Sequence, residues 1–148
     1  MRLVSLTIVF SALSACAQGQ TVVRRSNPET MRPPTGYTHA VSASGGRTIY
    51  ISGQVPVDKE GKVVGVGDFT AQTRQVFENV KAALATADAT MADVIKVSIY
   101  LTDASLIAKF REVRDEYFKS DPPASTAVEV RALLRPEVMV EMDAIAVK

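Results

Sequence analysis

The chain has one cysteine, one histidine and no tryptophan among 148 residues, and its formal net charge is only +1. Each scarcity closes a class of function. A single Cys cannot build an internal disulfide framework or a Cys-based zinc site. A single His excludes the two-His helix motif and other His-rich metal centres. Near-zero charge argues against a nucleic-acid partner, whose affinity comes mostly from neutralised phosphates. No metal and no cofactor is therefore expected. What is present is a globular composition, 47% apolar and 22% charged, rather than a disordered one. The length is that of one compact domain.

The first residues read as an address. Arg2 precedes an uncharged, mainly apolar run from Leu3 to Leu13, then Ser14, Ala15 and Cys16. A positive start, a short apolar core and small residues make a secretory signal. The run is too short for a bilayer of ~30 Å, which needs about 20 residues. Leu13-Ser14-Ala15-Cys16 also resembles a bacterial lipobox, in which the Cys is lipidated and becomes the new N-terminus. Ala15-Cys16-Ala17 reads alternatively as a small-x-small site for ordinary cleavage. Either way residues 1–15 are a signal peptide. An exported, periplasmic protein anchored to the membrane only through Cys16 is expected. Losing residues 1–15 removes Arg2 and leaves sixteen basic and sixteen acidic residues.

Residues 16–36 read as a lead-in. Gly19, Pro28, Pro33, Pro34 and Gly36 prevent a helix there, and only Thr21–Arg24 suggests a short strand. The body, 37–148, alternates between two periodicities. Thr38–Ser44 and Thr48–Gln54 read as hairpin arms around Gly45-Gly46. Asp68 can cap a helix over Phe69–Ala87, whose apolar residues fall on one face. Val94–Thr102 alternates, with Ile95, Val97, Ile99 and Leu101 on one side. Asp103 can cap a second helix over Ala104–Lys119, and Pro122-Pro123 ends it. Ala124–Ala132 and Val138–Val147 complete the strands.

The order is β-β-β-α-β-α-β-β, an α+β fold with one mixed sheet and both helices on one face. The other face would carry Tyr50, Ser52, Ser98, Tyr100, Met139, Glu141, Asp143 and Ile145. That mixture of aromatic, aliphatic and acidic groups suits neither open water nor a core. Coverage by further copies of the chain, in a closed symmetric oligomer, is expected.

Several stretches, in this order and spacing, resemble the RidA (YjgF) family of enamine/imine deaminases across roughly residues 22–147. They are Gly36-Tyr37-Thr38-His39-Ala40-Val41, Ile51-Ser52-Gly53-Gln54-Val55-Pro56, Phe77-Glu78-Asn79-Val80, Pro123-Ala124-Ser125-Thr126-Ala127-Val128-Glu129-Val130 and Val140-Glu141-Met142-Asp143-Ala144-Ile145-Ala146. The resemblance implies a chorismate-mutase-like fold and a homotrimer with small-molecule clefts between subunits. It also implies hydrolysis of 2-imino or 2-enamino acids to 2-keto acids and ammonia.

Such a reaction needs a cation for the substrate carboxylate and a carboxylate to orient the attacking water. The resemblance gives the second role to Glu141 and places Tyr37 and Ser52 in the cleft. Glu141 also reads as a strand carboxylate paired across a subunit boundary, Tyr37 as a wall residue and Ser52 as a strand residue before a glycine turn. His39 reads as a packed or surface histidine.

The chain departs from the family at Ser125, where the family's Pro-Ala-Arg word carries its substrate-binding Arg. A serine offers one neutral hydrogen bond in place of a two-pronged charged pair. Losing such a pair in a desolvated cleft costs about 2–5 kcal/mol, roughly 30- to several-thousand-fold in binding. Arg111 stands where the family has a cleft Asn, so Arg111 or Arg114 offers a replacement charge from the second helix. Arg111 also reads as a solvated residue paired with Asp115 one turn on. A one-residue insertion lies near Leu134. A non-catalytic binding or scaffold trimer in the cell envelope is the competing reading, and RNA cleavage is disfavoured by the balanced charge.

Overall fold

Asp68 starts the first long helix as its position predicts. Its side chain accepts from the Ala71 N–H at 3.0 Å, which satisfies one of the donors a helix start leaves free. The computed structural model describes residues 20–148; the segment 1–15 read as a signal peptide, and Cys16, lie outside them. The strands are β1 (Val22–Ser26), β2 (Ala40–Ser44), β3 (Thr48–Gln54), β4 (Val94–Leu101), β5 (Ala124–Glu129) and β6 (Val140–Val147). The helices are α1 (Phe69–Ala85) and α2 (Ile107–Tyr117), with short 3-10 turns at Met91–Asp93 and Ala104–Leu106. Asp103 caps the second of those turns through the Ser105 N–H, so α2 itself begins later than its sequence pattern suggests. Among the described residues no helix is long and apolar enough to cross a membrane.

The fold is α+β, with a four-stranded mixed sheet in the order β3-β6-β4-β5. β4 and β5 run parallel around α2, while β6 is antiparallel to both β3 and β4. One expectation changes. β2 pairs with β1 in a separate two-stranded sheet, not with β3 as a hairpin. The Gly45-Gly46 turn, with both residues at positive φ, therefore joins two sheets. β6 takes one edge of β3, and the other stays free among the described residues; the chain turns away at Gly45-Gly46, and β2 makes its ladder with β1.

Both helices cover one face. The core takes Ile49 and Ile51 from β3, Val97, Ile99 and Leu101 from β4, and Val140, Met142, Ala144 and Ala146 from β6. Opposite them stand Val76, Phe77, Val80 and Leu84 of α1, and Phe110 and Val113 of α2. In β4 the inward residue before Val97 is Val94, not Ile95, because the β4–β6 register shifts between Val94 and Lys96. A bulge of this kind moves one side chain to the other face. Met139 also departs from expectation: it lies before β6 and packs against the core.

Buried Gln72 ties α1 to the segment before β6. Its amide donates to Glu137 O at 2.7 Å and to Gly65 O at 3.2 Å, and its oxygen accepts from Met139 N at 2.8 Å. That clamp fixes the start of β6 while Leu134, in the loop before it, stays 98% exposed.

Tyr117 stacks on Phe77, with centroids 4.5 Å apart, and donates to Glu78 at 3.0 Å. Burial first, then the Glu78 hydrogen bond and charge, push its phenol up to about 12. The folded value lies above the ordinary value near 10, so the unfolded chain loses this proton first. The contribution to stability is complete below pH 10 and is lost as pH rises towards 12. An ultraviolet absorbance titration should show a late tyrosine step that is missing in Tyr117→Phe.

Candidate functional site

The cleft between α2 and the edge strand β5 begins with a fixed backbone. Thr38 is buried and donates from its N–H to Pro123 O at 3.0 Å and from its hydroxyl to Pro122 O at 2.6 Å. These bonds lay the lead-in across the start of β5 and hold Tyr37 over it. Gly36 sits at φ +70°, and a Cβ there would run into the Arg114 guanidinium. Glycine is thus required twice, for the backbone conformation and for the close approach. His39 braces Tyr37 edge-on at 5.2 Å. Its Nε2 lies 2.9 Å from the Arg32 carbonyl, which can only accept, so this nitrogen carries the proton.

A cavity of about 160 Å3 opens here, with Tyr37, Arg111 and Ser125 in its wall. Three of the expected substrate-binding residues therefore meet. Thr35 and Arg114 complete its polar lining, and Ile99, Ile107 and Phe110 supply apolar wall. The lining contains no Asp or Glu. It presents two guanidiniums and three hydroxyls, a set suited to an acceptor-rich, anionic group.

The two arginines differ. Arg114 has a side chain only 8% exposed and donates through Nε and Nη2 to Asp115 Oδ1 at 2.9 and 2.7 Å. Arg111 is exposed and has no hydrogen-bond or ion-pair partner among the described residues. The pairing of Arg111 with Asp115 that the helical spacing suggests is therefore corrected: Arg114 takes that carboxylate. The closer approach of the i,i+1 pair follows from Arg114 being folded back under Gly36.

Glu141 and Ser52 are elsewhere. Both lie on the sheet face that the helices leave open. Register shifts in β3 between Ile51 and Gln54, and in that irregularity Gly53 comes so close to Glu141 that a Cβ would meet the carboxylate. Along the same face Tyr100 donates to Asp143 at 3.0 Å. That hydrogen bond and the adjacent charge raise the Tyr100 pKa. Lys96 donates to Thr126 at 2.6 Å and to Val97 O at 2.9 Å. Burial lowers its pKa, opposed by the Asp143 charge. Tyr50 stands 77% exposed at the edge.

Ser125 faces the other way. It pairs in register with Val97, a core residue on the helix side. Within one protomer, Glu141–Ser52 and Tyr37–Arg111–Ser125 thus occupy opposite faces of one sheet. Among the described residues there is no cluster of His, Cys, Asp and Glu suited to a metal.

Residues 28–148 match the family model described as Endoribonuclease L-PSP. The chain belongs to the RidA (YjgF) family. It is 46% identical over 118 residues to a RutC family protein of Pyrococcus horikoshii, covering 79% of this chain and 90% of that one. Its structure is similar to that of the Rid family protein YyfB of Yersinia pestis, with TM-score 0.79 and 39% identity, over 85% of this chain and 98% of that one. It also resembles E. coli TdcF with bound serine, with TM-score 0.63 and 32% identity, over 68% and 80% of the two chains.

Set within the RidA family, the residues that sequence reasoning underweighted are Gly36, Thr35 and Arg114. Gly36 carried the usable signal, a glycine directly before the cleft tyrosine. The burial of Arg114 has no signal in the helix pattern, because it depends on the lead-in crossing α2.

Proposed function

We propose that this RidA-like protein binds a small carboxylate-bearing metabolite in a cleft completed by a second copy of the chain, and hydrolyses its imine. The carrying observation is the cleft of Tyr37, Arg111 and Ser125, rich in donors and free of Asp and Glu. Copies packed on the open sheet face, as in a homotrimer, would present one subunit's Glu141 and Ser52 to the next subunit's cleft. Arg111 takes the substrate carboxylate in place of the absent strand arginine. Tyr37 and Ser125 add hydroxyl hydrogen bonds, and Ser52 fixes the reacting end. Glu141 orients a water and takes its proton as oxygen bonds to the imine carbon. The nitrogen gains protons and leaves as ammonia, and a 2-keto acid remains. The serine bound to TdcF, a small amino acid, supports a ligand of this size and charge.

Ammonia release from freshly generated 2-iminopropanoate tests the reading. Wild-type protein should exceed the solvent rate and Glu141→Gln should not; equal rates remove it. A second reading, a non-catalytic binding trimer, rests on Ser125 in the Pro123-Ala124-Ser125 word, where the family resemblance implies an Arg. Ligand binding without turnover of any small imine would establish that one.

The location proposed is the cell envelope, from the pattern of residues 1–15 and Cys16. Family matching begins at residue 28, outside that segment. The full chain should fractionate with membranes, and Cys16→Ser should release it. Equal partition of both would overturn the anchor.

A further inference from the structure

The polar cleft continues into a second cavity of about 130 Å3 along the β5 edge. The two share Ile107 and Ala127, and the second is walled by Leu101, Ala104 and Val128. At its far end lies Glu129, whose carboxylate accepts from the Ala104 N–H at 2.7 Å. From one end to the other the groove therefore reads guanidinium and hydroxyls, then aliphatic wall, then a fixed carboxylate.

That sequence of surfaces discriminates. An oxyanion head at Arg111 points its remaining atoms past Ile107 and Ala127. An aliphatic chain there removes apolar surface from water on both sides. A second negative charge would be stripped of water against the same walls and would approach Glu129.

We propose that the groove selects 2-imino and 2-oxo acids with an unbranched aliphatic tail of several carbons, and disfavours dicarboxylates. This rests on the carboxylate reading of the Arg111 cleft. The selecting residues are Ile107, Ala127, Leu101 and Ala104 for the tail, and Glu129 for charge.

Stable 2-oxo acids serve as probes, with dissociation constants measured by titration calorimetry on the full-length protein. From pyruvate through 2-oxobutanoate and 2-oxopentanoate to 2-oxohexanoate, each methylene should tighten binding by up to about fourfold. 2-Oxoglutarate should bind more weakly than 2-oxopentanoate, and Glu129→Gln should narrow that gap. Ala104→Phe, an exposed position on the groove wall, should flatten the gain with chain length. A flat series, or 2-oxoglutarate binding more tightly than 2-oxopentanoate, overturns the selectivity. Binding that is flat in chain length yet lost in Arg111→Ala overturns only the tail selection. Absent binding, or binding indifferent to Arg111→Ala, overturns the selection and the carboxylate reading together.

Discussion

A one-to-one mixture of Arg111→Glu and Glu141→Gln subunits, unfolded and refolded together, should recover roughly a quarter of wild-type imine hydrolysis. Each variant alone should be nearly inactive. The reason is geometric. Arg111 and Ser125 lie on the helix side of the sheet, whereas Glu141 and Ser52 lie on the open side. A site drawing on both needs two protomers. In a random mixture, one interface in about four pairs an intact Arg111 with an intact Glu141. Losing a positioned general base typically costs 10²–10⁴-fold. Reversing the carboxylate-binding charge removes a charge-assisted pair of about 1.5–3 kcal/mol and adds repulsion. Against such low backgrounds a quarter of full activity is unmistakable in an ammonia-release assay. Refolded homomeric controls at the same total concentration must stay low. A mixture no more active than its components would refute the two-subunit site. High activity of Arg111→Glu alone would remove Arg111 from the cleft.

The fold was legible because its elements obey local rules. Asp68 marks α1 by capping it, and inward residues alternate along most of β3 and β6. The eight elements occur in the order that the periodicities imply. What failed was partnership. The residues around Gly45-Gly46 favour a tight turn, but a turn does not state which strands it joins. That choice is made by β1 of the lead-in, which pairs with β2 along its whole length and leaves one edge of β3 free among the described residues. Ile95 failed similarly, since a bulge is a property of the paired strand. The site divided along the same line. Glu141 and Ser52 could be named from their words, and Tyr37, Arg111 and Ser125 do converge. Alternation puts Glu141 and Ser52 on the open face, but it does not put Tyr37, Arg111 and Ser125 on the helix side, because parity along one strand does not give the register of its neighbour. The Arg114–Asp115 pair escaped for another reason: spacing rules describe a solvated helix, and Arg114 is covered by Gly36 from outside the helix.

Phe77→Ala should cost about 3–5 kcal/mol of stability, the range for truncating a buried aromatic. Phe77 is fully buried and touches Phe110 at 5.7 Å, Tyr117 at 4.5 Å and Phe118 at 6.1 Å between centroids. Those three rings lie on or just after α2, so this one side chain largely fixes how α2 sits on α1. The loss is a large share of the ~5–15 kcal/mol that holds a typical domain together. For a chain of this size it should lower the melting temperature by about 10–20 °C. Phe77→Leu, which keeps much of the volume, should cost clearly less. Leu134→Ala, at a 98% exposed position, should stay within about 0.5 kcal/mol of wild type. Because α2 also carries Arg111 and Arg114, the substitution should weaken ligand binding without touching the ligand. It should also bring the late tyrosine ionisation to lower pH, since Tyr117 owes its high value first to burial. Equal melting temperatures for Phe77→Ala and Leu134→Ala would show that the aromatic cluster does not hold the helices in place.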